Sequence, residues 1–243
     1  MSPVRGTLRV FEDGEKLAQG AAAWLVDRAL RARGWFTVSL SGGTTPKRLY
    51  EILASPPSID RFPWALTRFA FGDERFVPPD DPASNARMAA EAMFSRVPVP
   101  AANIYAMPTV GVTPERAATA YERTLQCLYG DDVLGPGRPL FDVTLLGVGD
   151  DGHTASLIPG QPVLDERTRW VGVAAKGRPE VRLTLTYPAL QSSGATVFLL
   201  QGAGKREILD RLLSGDDTVP AGRLRPEGEL FWFADREAAG RWA

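Results

Sequence analysis

Short apolar runs that stop at glycine or charge, with helix-patterned segments between them, constrain this chain of 243 residues more than any other feature. Phe36–Leu40, 68–71, Phe141–Leu146 and 195–200 are rich in β-branched and aromatic residues and have the length of buried strands. Thr7–Phe11, 170–174 and 230–233 read as further strands. Between them apolar residues recur at helical spacing: Leu17, Ala21, Trp24, Leu25 and Ala29, later Leu49, Tyr50 and Ile52, then Ala89, Ala92 and Met93. Ala117, Tyr121, Leu125 and Leu128 form another such face, and Ile208, Leu209, Leu212 and Leu213 the last. Strands alternating with helices predict an α/β fold, a doubly wound, mostly parallel sheet with helices on both faces. Gly34 is placed to close the first helix, and Thr113-Pro114-Glu115 opens a later one with a cap, a proline and an acid in the first turn. Asn103-Ile104-Tyr105 is expected as an edge strand, and 154–157 as a short helix that Pro159-Gly160 ends. No repeat or composition break marks a linker, so residues 1–243 are expected to form a single domain.

In such a sheet the carboxyl ends of the strands share one edge, so the loops after Leu40, Phe71, Leu146 and Leu200 are expected to meet in one crevice. The first is Ser41-Gly42-Gly43-Thr44-Thr45-Pro46. Its glycines let the backbone approach a phosphate, the N–H groups of the following helix start point at it, and threonine hydroxyls add donors. A plain glycine turn with a threonine cap would use the same residues. The loop is neither a Walker loop nor a GxGxxG fingerprint, so nucleotide binding is not supported. The second loop, Asp73-Glu74-Arg75, reads as part of a site or as a solvated ion cluster. The third carries Asp150, Asp151 and His153, the only histidine in the chain. A lone histidine after glycine is commonly a turn residue. Here Asp151 can orient a ring nitrogen, and nothing apolar in residues 149–153 argues for core packing. The fourth loop runs Gly202-Ala203-Gly204-Lys205, and a basic stretch with Lys176, Arg178 and Arg182 precedes it.

With 28 basic and 29 acidic residues the net charge is −1, so no global field draws the chain to nucleic acid or to a membrane. No apolar run approaches the length of a membrane span, and the N-terminus lacks a signal-peptide core; the expectation is a cytoplasmic protein. Cys127 is the only cysteine, which excludes an intrachain disulfide; it is expected to pack with Tyr121, Leu125 and Leu128.

Taken in order, four blocks resemble the signatures of the 6-phosphogluconolactonase family: Ser41-Gly42-Gly43-Thr44-Thr45-Pro46; Asp73-Glu74-Arg75 with Val77-Pro78 and Ser84-Asn85; Gly147-x-Gly149-x-Asp151-Gly152-His153-Thr154-Ala155-Ser156-Leu157 with Pro159-Gly160; and Arg182-Leu183-Thr184-Leu185-Thr186. The similarity spans nearly the whole chain. It implies the sugar-phosphate isomerase-like variant of the Rossmann fold. It also implies hydrolysis of 6-phosphoglucono-δ-lactone in the pentose phosphate pathway, without metal or cofactor, the partner being a small phosphorylated sugar lactone. Oligomeric state is left open. The family usually shows Lys-Pro-Pro ahead of the arginine matching Arg182, whereas this chain has Lys176-Gly177-Arg178-Pro179, which leaves Lys176 and Arg178 as alternatives.

Lactone hydrolysis needs an activated water, a stabilised oxyanion and a proton for the departing ring oxygen. Imidazole, which titrates near pH ~6.5 in water, can take a proton from water and return it to the leaving oxygen. His153 is therefore the candidate base, with Asp151 setting its tautomer. Ser41, Gly42, Gly43 and Thr44, with Arg182 and Lys205, are the candidate phosphate contacts; Asp73 and Arg75 are candidates for the sugar or the developing charge. No Gly-x-Ser-x-Gly elbow is present, which favours direct attack by water. Two other readings make different demands on the sequence. A glucosamine-6-phosphate deaminase would carry Asp-Glu-Tyr at 73–75 and an acidic residue soon after the histidine, but none follows until Asp165. A non-catalytic sugar-phosphate sensor would need no histidine–aspartate pair and would carry a basic DNA-binding element, for which a first strand at Thr7 leaves no room.

Overall fold

The computed structural model describes residues 5–176 and 179–243; Arg178, one of the two alternatives above, lies outside the described residues. The described residues form nine strands: β1 Thr7–Phe11, β2 Phe36–Leu40, β3 Thr67–Phe71, β4 Asp73–Arg75, β5 Phe141–Leu146, β6 Val171–Ala174, β7 Arg182–Leu185, β8 Ser193–Leu200 and β9 Glu229–Asp235. Six of them make a parallel sheet in the order β1-β9-β8-β5-β2-β3. Every residue of β2 is buried, Thr37 and Ser39 included, as expected of a central strand covered on both faces. At the β1 edge, by contrast, no residue is fully buried.

From β2 the chain steps outward to β3, whereas β5, β8 and β9 continue in the other direction. The strand order therefore reverses between β2 and β5. At such a switch point the loops on either side diverge and open a crevice at the carboxyl ends of the strands.

The second sheet differs from expectation. β4, β7 and β6 pair antiparallel, so Asp73-Glu74-Arg75 lies directly across from Arg182-Leu183-Thr184. Asp73 and Glu74 are 6% and 2% exposed, which rules out a solvated ion cluster. Four smaller expectations are also corrected. The first helix, Gly14–Arg31, stops short of Gly34, because Ala32 has already turned extended. Ile104 forms only an isolated bridge to Phe69 instead of an edge strand. Residues 154–157 form a bridged turn, not a helix, with Ala155 at φ 46°. The Thr154 hydroxyl donates to the Gly147 carbonyl and the Thr184 hydroxyl accepts from Ser156 N–H, which draws this backbone out of a helical path. Cys127 is exposed: Tyr121, Leu125 and Tyr129 share the inward face of the helix Pro114–Tyr129, and two residues beyond Leu125 points outward.

Two buried tyrosines fix the strand ends next to the crevice. The Tyr50 hydroxyl accepts from Ser41 N–H at 3.0 Å and donates to the Ser41 carbonyl at 2.8 Å. Tyr121 does the same for Phe71 at the end of β3. Burial pushes both phenols up, so they stay protonated and can donate and accept at once. Tyr50→Phe leaves two backbone groups of Ser41 unsatisfied and is expected to cost about 1–3 kcal/mol of stability, readable from urea unfolding. A loss under a few tenths would mean that water takes over both bonds.

Candidate active site

The crevice at the switch point is a cavity of about 500 Å³. Ser41, Gly42, Gly43, Thr44, Asp73, Arg75, His153, Arg182 and Lys205 all line it. Asp151 stands behind His153, its Oδ1 2.5 Å from Nδ1 and 3.1 Å from the histidine's own N–H. The loop closes on itself, with Gly152 N–H donating to the Gly149 carbonyl and Gly149 N–H to the His153 carbonyl. A side chain at Gly149 would place its Cβ 2.1 Å from Cε1 and Nδ1 of the imidazole, so the ring occupies the space that glycine leaves. With a carboxylate on Nδ1, the neutral ring carries its proton there and presents the Nε2 lone pair.

Opposite, Gly43 precedes the helix Thr44–Leu53 with φ 105° and supplies no side-chain cap. A side chain at Gly42 would put Cβ 2.1 Å from Oδ1 of Asn85. The first amides of this ten-residue helix, with no side-chain cap among the described residues, form the positive end of a helix dipole on the cavity wall. Arg75, Arg182 and Lys205 add three cations. Arg75 donates through Nη1 to the Ala83 carbonyl at 2.6 Å, and its buried Nε has no hydrogen-bond partner among the described residues. Lys205 Nζ lies 2.6 Å from Asp150 Oδ1. The turn that bears Lys205 is held by Asp235, whose carboxylate accepts from Gly202 N–H and also caps the short helix Arg236–Ala239.

Asp73 reaches the wall with its carboxylate engaged: Oδ2 accepts from the Ser156 hydroxyl at 2.7 Å and Oδ1 from Asn85 Nδ2 at 3.2 Å. Glu74 accepts from the N–H groups of Arg75, Asn85 and Ala86 and from the Ser84 hydroxyl. Burial pushes the Glu74 carboxyl up, against these donors. Asn85, present in the second family block but assigned no role there, and Gln201, not singled out from the sequence, also line the cavity. Asn85 reads as an ordinary helix start, and nothing in the chain shows that it bridges Gly42 and Asp73. Gln201 accepts from the Thr45 hydroxyl at 3.1 Å, a pairing 156 residues apart in sequence.

Residues 12–232 match the family described as glucosamine-6-phosphate isomerases/6-phosphogluconolactonase. The 6-phosphogluconolactonase of Nostoc sp. is 42% identical over 218 residues, covering 88% of this chain and 87% of that protein. The solved 6-phosphogluconolactonase of Trypanosoma brucei superposes with a TM-score of 0.86 at 28% identity, covering 99% of this chain and 100% of that one. A monomeric glucosamine-6-phosphate deaminase superposes with a TM-score of 0.81 at 23% identity, over 96% and 98% of the two chains, a likeness of fold.

Proposed function

From a chain that belongs to the glucosamine-6-phosphate isomerase/6-phosphogluconolactonase family, we propose an enzyme, one α/β domain working in the cytoplasm, that hydrolyses 6-phosphoglucono-δ-lactone to 6-phosphogluconate in the oxidative pentose phosphate pathway. The observation that carries the reading is a juxtaposition. An imidazole backed by a carboxylate and a helix start with uncommitted amides line the same cavity.

The sugar's phosphate sits against Gly42, Gly43 and Thr44, with the Ser41 and Thr44 hydroxyls and the Arg182 and Lys205 cations around it. The lactone carbonyl then faces His153 across the cavity. Nε2 takes a proton from water as the oxygen bonds to the carbonyl carbon. The imidazolium formed is stabilised by Asp151, and the negative charge on the former carbonyl oxygen is met by Arg75. Collapse of the tetrahedral intermediate breaks the bond to the ring oxygen, which takes the proton back from Nε2. The product is an open-chain acid, and the base is regenerated without a covalent intermediate. Asp73, with Asn85 and Ser156, braces the loops that carry these groups.

The test is hydrolysis of freshly generated 6-phosphogluconolactone, followed against its spontaneous opening. Catalysis far above background that survives EDTA is expected, with no ammonia released from glucosamine 6-phosphate. Ammonia release, or activity that EDTA abolishes, would reverse the assignment.

A further inference from the structure

Lys205 meets an anion of the protein's own in the wall of the cavity. Its Nζ lies 2.6 Å from Oδ1 of Asp150, on the loop that carries Asp151 and His153. The other two acids at the site are engaged elsewhere, Asp151 by His153 and Asp73 by Asn85 and Ser156. The aspartate side chain is 79% exposed and the lysine 29%, so the pair forms and breaks within reach of water. Exposed pairs of this kind shift equilibria by only about 1.4- to 5-fold. A phosphate dianion, with more charge and more acceptor oxygens, can therefore displace the carboxylate.

We propose that Asp150 competes with the substrate's phosphate for Lys205: it is a built-in counter-ion that holds the ammonium when no phosphate is bound and reclaims it as product leaves. The inference rests on reading Lys205 as a phosphate contact. Its consequence follows from mass action. Each phosphate that binds must first break the pair, so apparent affinity is lowered by the fraction of Lys205 already paired. The phosphate is remote from the reacting carbonyl, and its contacts are the same in ground and transition states. Weakening them shortens product residence without raising the chemical barrier.

Isothermal titration with 6-phosphogluconate and with gluconate tests this on the parent, Asp150→Asn, Lys205→Ala and the double variant. Lys205→Ala is expected to weaken 6-phosphogluconate by at least about tenfold and to spare gluconate. Asp150→Asn is expected to tighten 6-phosphogluconate by about two- to fivefold, again sparing gluconate. That gain should shrink as salt is raised and vanish in the Lys205→Ala background. If Lys205→Ala leaves 6-phosphogluconate unaffected, the phosphate role of Lys205 itself falls. If it weakens binding while Asp150→Asn equals or falls below the parent, Asp150 positions the lysine and the competition is refuted. A gain that persists without Lys205 would mean direct repulsion of the ligand, which also overturns the proposal.

Discussion

His153→Ala is expected to lose about 10²- to 10⁴-fold in kcat on the phosphorylated lactone, while KM stays within a few-fold of the parent. The separation follows from the layout of the cavity. The groups assigned to the phosphate belong to the β2 loop, to β7 and to the turn after β8, whereas the imidazole is held by Asp151 on the loop after β5. Removing the ring therefore takes away the proton acceptor and leaves ground-state binding in place. The described carboxylates nearby have other tasks: Asp73 accepts from Ser156 and Asn85, Asp150 pairs with Lys205, and Asp151 loses the ring through which it acts. The imidazole is a part-exposed wall residue, so the variant should unfold close to the parent temperature. Undiminished kcat in a folded His153→Ala enzyme would mean that water is activated by some other group, and the mechanism above would have to be abandoned.

How much of this was legible in the sequence differs between the two sheets. β2, β5 and β8 are buried along nearly their whole length, so they read as short runs dominated by apolar and β-branched residues with glycine at or just beyond their ends, which shows both the strand and the loop. The convergence of four loops then follows from parallel topology alone. β4 and β7 are three and four residues long and carry charges that point into a cavity or onto partners. Such strands are too short for a hydrophobic pattern to mark them, and their pairing is fixed by residues more than a hundred positions apart. The same reasoning covers the individual residues. Glycine pairs and a lone histidine announce themselves by type. Asn85, Tyr50 and Asp235 act by bonding to backbone that comes near only in the folded chain, and their types are ordinary for a helix start, a helix face and a strand end. The turn at 154–157 has a composition that suits a helix, whereas two hydrogen bonds, from the Thr154 hydroxyl to the Gly147 carbonyl and from Ser156 N–H to the Thr184 hydroxyl, decide its path.

Gly149→Ala is expected to come close to the histidine deletion in its effect on kcat, with a loss of at least about 10²-fold, although it removes no functional group. Gly149 lies outside the left-handed region, so alanine fits its backbone without strain. The added methyl would fall 2.1 Å from both Nδ1 and Cε1 of His153 and 2.7 Å from Asp151 Oδ1. Both obstacles are ends of side chains, which can swing aside at little cost in stability. What cannot survive the swing is the 2.5 Å contact between Asp151 and the ring, and with it the aim of Nε2. The contrast with Gly152 makes the test specific. That glycine has φ 78°, and a methyl there would meet Val219 at 2.5 Å, next to the bond from Ala221 N–H to the Gly152 carbonyl. Gly152→Ala should therefore lower the unfolding temperature, whereas Gly149→Ala should leave it nearly unchanged and lower kcat. If Gly149→Ala retains full kcat while His153→Ala does not, the imidazole works from a position other than the one Asp151 holds, and the pairing of the two is not what catalysis uses.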